Sequence, residues 1–405
     1  MTSKLSEEQR ILCVLLDAAL NGGTLPEKER QAFAAADQKQ IVHTARQHSV
    51  LPLLYDVLCG DGMLREELRG QVEAVSRQTV RQSYRLLFLT GYLTQLFERE
   101  QLPVAVLKGC GVAACYPVPE LRKSGDVDLL VRGQDLARAQ ALLEREGYQT
   151  LKKQHANHHI VCRSEEGICV ELHVMLAEPF AYVPVNACMR EVTDTFAEHI
   201  VRRPCMEIEF PLLQEDCQAF QLLLHMLQHF LRAGFGLKLL CDWTVFWNGQ
   251  GKGDAWQAFG RLAKQSGVYE FARIVTECCV EFFGLRREFL ETTGNRELAE
   301  AFLCDVFDAE EFGRSSTERM VAVQGKGMKA YWKEFHHQMK MNHPKASKCV
   351  IAWPILWMVT FFVFVRNNRR LERGSVRSIM KSAGARGRLV RQMKLWEKSA
   401  DVRDE

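Results

Sequence analysis

The 405-residue sequence has almost no charge imbalance: 53 Lys and Arg face 50 Asp and Glu, a net charge of +3, so its composition as a whole does not announce a nucleic-acid binder. Paired cysteines are missing as well. Fourteen cysteines are scattered without one C-x-x-C, and the nearest approaches are Cys110/Cys115 and Cys278-Cys279; no zinc site or disulfide framework is spelled out, and reduced thiols in a cytosol are the plain reading. No H-E-x-x-H occurs. His225 and His229 have the i, i+4 spacing of a metal clamp, but Met226-Leu227-Gln228 separates them, which removes the metalloprotease reading and leaves the polar flank of a packing helix. A secretory signal is also absent, because Glu7 and Glu8 precede the first apolar stretch and no small-residue cleavage site follows it; Ser6 caps a first helix instead. Finally, the uncharged apolar run Cys349 to Val365 is 17 residues long and contains Pro354. It falls short of the roughly 20 residues that span a bilayer and reads as a buried or interfacial helix.

What is present is a hydrophobic fraction of 47%, enough to build a sizeable core in two or three domains. Residues 1–99 carry helical periodicity: Ile11, Leu15, Ala18 and Ala19, then Ile41, Ala45, Val50 and Leu54, then a long helix from about Ser83 to Glu100 marked by Leu86, Leu89, Leu93 and Phe97. His43 and His48 fall here as exposed or core histidines without acidic partners. Residues 100–210 form an α/β core whose last part, Glu178 to Pro211, reads as a linker rich in Pro and polar residues. Residues 211–345 form a second helical block, with one helix drawn by Leu222, Leu223, Met226, Leu227, Phe230 and Leu231 and the next by Leu237, Leu240, Cys241, Val245 and Phe246. Residues 346–405 hold the apolar helix and a basic tail.

The stretch around which the chain is organised is Val104 to Val131. Val104-Ala105-Val106-Leu107, entered through Pro103 and stopped by Lys108-Gly109, is written as a buried strand ending in a tight turn. Gly109-Cys110-Gly111-Val112-Ala113-Ala114 then offers small residues at the start of a helix, where backbone N–H groups and the helix dipole suit an anion of phosphate size, with Lys108 adding a positive charge. Next comes Gly125-Asp126-Val127-Asp128-Leu129-Leu130-Val131. Two carboxylates at i and i+2 on a strand share a face, where they repel unless a cation neutralises them, and hard oxygen donors beside an anionic ligand suit Mg²⁺. After it, Gly133-Gln134-Asp135 starts a helix that ends at Gly147. His159 to Cys162 and Ile168 to His173 then read as two strands joined by a polar hairpin loop. Glu171 and His173 share a face. His155, His158, His159 and His173 match no familiar zinc spacing.

Leu107-Lys108-Gly109 followed by Arg122-x-Ser124-x-Asp126-Val127-Asp128-Leu129 resembles the nucleotidyltransferase superfamily, marked by a Gly and a small residue ahead of an Asp-x-Asp strand. It is similar in particular to a bacterial family known only as uncharacterised nucleotidyltransferases, which carries a third carboxylate on a later strand, matched here by Glu171 in Val170-Glu171-Leu172-His173. The motifs cover roughly residues 100–176, with weaker similarity through the helices. One departure is Cys110, where the family has a second Gly or Ser.

The resemblance implies an α+β fold with a mixed sheet flanked by N- and C-terminal helical domains. It also implies a Mg²⁺-dependent enzyme in which an acceptor hydroxyl attacks the α-phosphate of a nucleoside triphosphate and pyrophosphate leaves. Asp126, Asp128 and Glu171 would hold two Mg²⁺ ions, with Glu171 also placed to draw the acceptor's proton. Lys108, Gly109, Arg122 and Ser124 would hold the triphosphate, and His173 would orient a carboxylate or contact substrate. Asp242, on the helical block, would approach the cleft. Base and acceptor are not legible. The competing readings are a catalytically idle nucleotide-binding fold and a membrane-associated accessory protein in surface-polymer or peptide assembly. The second draws on residues 366–405, which hold twelve Lys or Arg against five Asp or Glu. There Leu389, Val390, Met393 and Trp396 form an apolar stripe among Arg386, Arg388, Arg391, Lys394 and Lys398, suited to an anionic membrane or RNA. The expected place is the cytoplasm, with this end peripheral at the inner face of the membrane.

Overall fold

The computed structural model describes residues 4–60, 62–151, 159–232, 234–290, 294–309 and 346–370, together with 332, 335–336, 339–340, 342–343, 389–393 and 395–396. The helices are α1 (Glu7–Leu20), α2 (Glu27–Ala35), α3 (Gln38–Gln47), α4 (Tyr55–Cys59), α5 (Glu66–Arg99), α6 (Cys110–Ala113), α7 (Leu136–Arg145), α8 (Val183–Thr195), α9 (Glu215–Leu231), α10 (Lys238–Gln250), α11 (Asp254–Ser266), α12 (Tyr269–Phe282), α13 (Arg296–Phe307) and α14 (Trp353–Arg370). The strands are β1 (Val104–Val106), β2 (Asp126–Val131), β3 (Gln149–Thr150), β4 (His159–Arg163), β5 (Cys169–His173), β6 (Val201–Cys205) and β7 (Ile208–Leu212).

Five strands form one mixed sheet in the order β1-β2-β5-β4-β3. Only β2 and β5 run parallel, and α7, β3 and β4 supply the long connection that a parallel pair requires. Alternation along β2 gives the sheet two unlike faces. Val127, Leu129 and Val131 join Val170 and Leu172 in an apolar core with Leu86, Leu93 and Phe97 of α5 and Leu142 and Leu143 of α7. Asp126, Asp128 and Leu130 point the other way, and Leu130 belongs to a second core. That core runs without a break through both helical blocks, from Leu12, Phe33 and Val42 to Phe220, Trp243, Trp247 and Phe302. The expected α+β arrangement, a mixed sheet flanked by helices, is what the chain forms.

Two expectations from the sequence need correction. The long helix starts at Glu66, not near Ser83, and spans 34 residues. Its early turns bury Leu68 and Val72 and then the small polar Ser76, Thr79 and Ser83, a stripe in the right period that apolar residues alone do not reveal. Glu178 to Pro211 is not a linker. Val185, Cys188, Met189 and Val192 make the buried face of α8, and β6 pairs with β7 in a hairpin that packs on α5 and β1. The prolines sit where they do no harm: Pro184 in the first turn of α8, and Pro204 and Pro211 in a two-stranded ribbon. The capped first helix does form, with Ser6 and Gln9 completing a reciprocal capping box.

The C-terminal stripe also behaves differently from its expectation. Leu389, Val390 and Met393 are buried in the second core, and the Trp396 ring lies 4.7 Å from that of Tyr182, so this stripe faces the protein. Arg386, Arg388, Lys394 and Lys398 lie outside the described residues.

One polar contact ties the loop before β2 to α10. The Arg122 guanidinium donates to Asp242 through Nε at 2.9 Å and Nη2 at 2.7 Å, and the Tyr116 hydroxyl donates to the same carboxylate at 2.6 Å. Arg122 and Asp242 are 3% and 1% exposed, so neither has water to fall back on. Removing one partner strands a buried charge. Asp242→Ala should therefore lower unfolding stability by about 3–5 kcal/mol, whereas replacing both with packed apolar residues, Arg122→Met with Asp242→Leu, should recover most of that loss. Urea unfolding of the parent and the two variants would show it, and an Asp242→Ala protein as stable as the parent would refute the dependence.

Candidate active site

Gly109, between β1 and α6, adopts φ +48° and ψ −114°, a conformation that residues with a Cβ rarely take. The turn is the one the sequence announces, but the helix after it lasts only from Cys110 to Ala113, too short for its dipole to matter much. Gly111 lets this turn sit against β1, since a Cβ there would lie 3.0 Å from the Val106 carbonyl oxygen. Cys110, where the resembled family has Gly or Ser, points inward towards Thr90, and burial pushes its thiol up to about 11. It is a packing residue.

The carboxylates meet through sheet register. Asp128 pairs directly with Glu171 across the parallel β2–β5 ladder, and Asp126 lies two residues earlier on the same face. Oxygen atoms of all three lie within 4.8 Å of one another. Asp128 is 3% exposed and divides its two oxygens between different tasks. Oδ1 accepts from Lys108 Nζ at 3.0 Å and from His173 Nε2 at 2.9 Å. Oδ2 is buried and has no hydrogen-bond partner, and it lies 4.0 Å from the point a Gly109 Cβ would occupy, as does Ser124 Oγ. His173 Nε2 also stands 3.2 Å from Glu171 Oε2, and His159 Nε2 is 3.9 Å from that oxygen.

These contacts set the protonation states. The neighbouring Asp128 charge and then burial push Asp126 up to about 6, against the pull of Lys108, Glu171 adding to the rise. Burial alone would also raise Asp128, but Lys108 and His173 outweigh it and hold the carboxyl below its usual range. Burial opposes the charge on Lys108 and on His173, yet in both the facing carboxylates prevail and raise the pKa. Glu171 is lowered, the His173 hydrogen bond overcoming burial. The ionised Asp128 is thus matched by the Lys108 cation and the His173 ring, while Asp126 carries the unrelieved part of the repulsion.

Of the residues singled out in the sequence, Lys108, Gly109, Ser124, Asp126, Asp128, Glu171 and His173 come together at this place. Arg122 does not face it: its donors are directed to Asp242, to the Lys123 carbonyl and, through Nη1 at 2.6 Å, to Ser124 Oγ, so it positions Ser124 from behind. His173 is 5% exposed and orients two carboxylates. Asp242, expected near the cleft, reaches Arg122 instead. His155 and His158 lie outside the described residues, whereas His159, Glu171 and His173 do form a second cluster with ligand atoms inside 4.8 Å.

Sequence reasoning missed the wall opposite the sheet. Lys238 in the first turn of α10 acts on Asp126, and Lys108 and Lys238 both act on His229 of α9. The His225 and His229 rings meet edge to face at 4.5 Å; burial first, then the two lysines, push His229 down to about 4, and burial first, then His229 and the lysines, push His225 well below its ordinary value. The helical block therefore contributes a positive charge, Lys238, that acts on the carboxylates. No motif marks Lys238; its position depends on α10 beginning just after Leu237, whose N–H donates to buried His48 at 3.3 Å.

No curated protein sequence matches the chain. Among solved structures, the lincomycin-bound lincosamide antibiotic adenylyltransferase LnuA is 15% identical over 38% of this chain and 92% of its own, with a TM-score of 0.27. An antigenic nucleotidyltransferase-like protein from Paracoccidioides brasiliensis is also 15% identical, over 50% of this chain and 93% of its own, with a TM-score of 0.30. Residues 34–284, which contain the turn, all three carboxylates and the opposing helices, match a family described as "Uncharacterised nucleotidyltransferase". The chain belongs to that nucleotidyltransferase family.

Proposed function

We propose that the protein is a Mg²⁺-dependent enzyme that moves a nucleoside monophosphate from a nucleoside triphosphate to an acceptor hydroxyl. The observation that carries this reading is Asp128 Oδ2, a carboxylate oxygen buried without a hydrogen-bond partner inside a cluster of three carboxylates. Such an atom is costly to bury unless a ligand completes it. A donor set made only of carboxylate oxygens suits Mg²⁺, so Asp126, Asp128 and Glu171 would hold the ions. Bound there, two Mg²⁺ would neutralise the carboxylates and draw charge from the attacking and leaving oxygens.

The remaining work falls to the chain's own groups. Lys108 lies beside Asp128 Oδ1 and supplies positive charge to phosphate oxygens at the Gly109 turn, where Ser124 Oγ offers a further polar contact. His173 holds the carboxylates of Asp128 and Glu171 in one orientation. Glu171, kept ionised by His173, accepts the acceptor's proton as its oxygen bonds to the α-phosphorus; the bond from that phosphorus to the bridging oxygen breaks and pyrophosphate departs.

Glu171→Gln should leave triphosphate binding nearly intact while slowing transfer by on the order of 10³–10⁴-fold, because Asp126, Asp128 and Lys108 still hold the substrate. Labelled nucleoside triphosphates with Mg²⁺ and cell extract would reveal the acceptor and then the rate. Unchanged transfer by this variant would refute the role of Glu171.

Proton linkage gives a separate test. The folded metal-free protein holds the Asp126 proton up to about 6 rather than the ordinary 3.8, so the stability it contributes is present at low pH and is lost as the pH rises through about 6. In EDTA, Asp126→Asn should gain on the parent between pH 4.5 and 7, and parental Mg²⁺ affinity should rise over the same interval. A difference between the two proteins that ignores pH would count against the assignment.

A second reading, peripheral membrane contact, is favoured by α14. Among the described residues no helix is long and apolar enough to cross a membrane. Ile351, Ile355, Met358 and Phe362 nevertheless recur on one side of α14 and its approach at 88%, 65%, 60% and 65% exposure, while Leu356 and Thr360 are buried on the other. The sequence then continues with Arg366, Arg369 and Arg370. An apolar face followed by a basic segment suits an anionic bilayer surface. Binding to vesicles rich in phosphatidylserine should exceed binding to neutral vesicles and weaken as salt rises, and Ile355→Asp with Phe362→Asp should abolish it. Equal binding to neutral vesicles, or binding only to RNA, would overturn this reading.

A further inference from the structure

A cavity of about 510 Å³ reaches the active site at Ser124 and is walled by the end of α3, the turn after it, the middle of α5 and the Lys123–Ser124 loop. That is the size of a small-molecule site. Its lining contains no Asp, no Glu and no Phe, Tyr or Trp. Two cations, Arg46 and Lys123, stand among the amides of Gln78 and Gln82 and the hydroxyls of Ser49 and Ser124. His43 is the one ring in the lining, and with no Phe, Tyr or Trp beside it the cavity is built for polar groups rather than as a stacking platform for a nucleobase. Cations with amides and hydroxyls instead match a phosphate group on a molecule rich in hydroxyls.

Two details connect this cavity to the reaction. Ser124 belongs to both places: it lines the cavity, and its Oγ lies as close to the Gly109 turn as Asp128 Oδ2 does. Lys123 is also held in position, because its Nζ donates to Ser49 Oγ at 2.9 Å. Ser49, just past the cap of α3, has φ +59°, a left-handed position where Gly is the unstrained choice. The serine hydroxyl there serves Lys123.

We propose that this cavity is the acceptor site and that the acceptor is a small phosphate ester with a free hydroxyl, a sugar phosphate or polyol phosphate. Arg46 and Lys123 hold its phosphate, and the hydroxyl end passes Ser124 to reach the α-phosphorus. The acceptor oxygen bonds to that phosphorus, the bond to the bridging oxygen breaks, pyrophosphate leaves, and the hydroxyl proton passes to Glu171 and then to solvent. The product is a phosphodiester that keeps the ester's own phosphate. This inference rests on the nucleotidyl-transfer reading and adds the class of acceptor.

The test is calorimetric titration of the full chain with inorganic phosphate, glycerol 3-phosphate, glucose 6-phosphate and glucose, and separately with each Mg²⁺-nucleoside triphosphate. At least one phosphate ester should bind about tenfold or more tightly than glucose. Arg46→Gln and Lys123→Met, both at exposed positions, should each weaken it about tenfold while leaving triphosphate affinity within about twofold. Binding of none of the phosphate probes, equal binding of glucose, or variants that weaken the triphosphate instead would overturn the proposal. A parent protein that binds phosphate esters but no triphosphate would refute the transfer reading and leave the cavity's chemistry standing.

Discussion

Three carboxylates within a few ångströms on one sheet face set the terms for everything around them. Their mutual repulsion is met from two directions. Lys108 and His173 converge on one oxygen of Asp128, and the charge of Lys238, on the helical block, acts on Asp126. The compensation is incomplete, as the raised Asp126 and the unpartnered Asp128 Oδ2 show. The shortfall is what the proposed Mg²⁺ would fill, and a site neutralised entirely by its own side chains would leave no such need.

The sheet can carry this charge because its two faces are insulated from each other. Val127, Leu129 and Val131 are at most 1% exposed and pack against α5 and α7, which leaves the odd-numbered face no access to the acids. On the acidic face Leu130 joins the core that contains α9 and α10 instead. Those helices are held in turn by the Arg122–Asp242 pair and by the His48 contact to Leu237, so the N-terminal helices, the loop before β2 and the C-terminal block share one mechanical frame.

Much of the central chemistry was legible because it is local. A period of two places Asp126 and Asp128 on one face, and Lys108-Gly109 can only be a stop and a turn. Glu171 was identified through the family resemblance, and its exact pairing with Asp128 depends on strand register that no local pattern encodes. What was not legible follows the same logic. Arg122 carries a residue type suited to phosphate, yet its partner Asp242 lies 120 positions away and only the packing of α10 against the loop shows that the two are committed to each other. Lys238 was silent for a similar reason. The early half of α5 escaped because Ser76, Thr79 and Ser83 are polar by composition and buried by position, and α8 because Pro184 in its own first turn, with Pro204 and Pro211 farther along the segment, suggested a loop.

The length of α5 has one more consequence. A single unbroken rod bears the cavity residues Gln78 and Gln82 on one stretch and, a turn later, Leu86, Leu93 and Phe97 against the sheet. Each added residue in an α-helix advances it by about 1.5 Å and turns it by about 100°. An insertion or deletion of one residue between Gln82 and Leu86 would therefore swing the glutamines away from the Lys123–Ser124 loop even though every side chain remained. In this segment the chain can vary its letters but not its count.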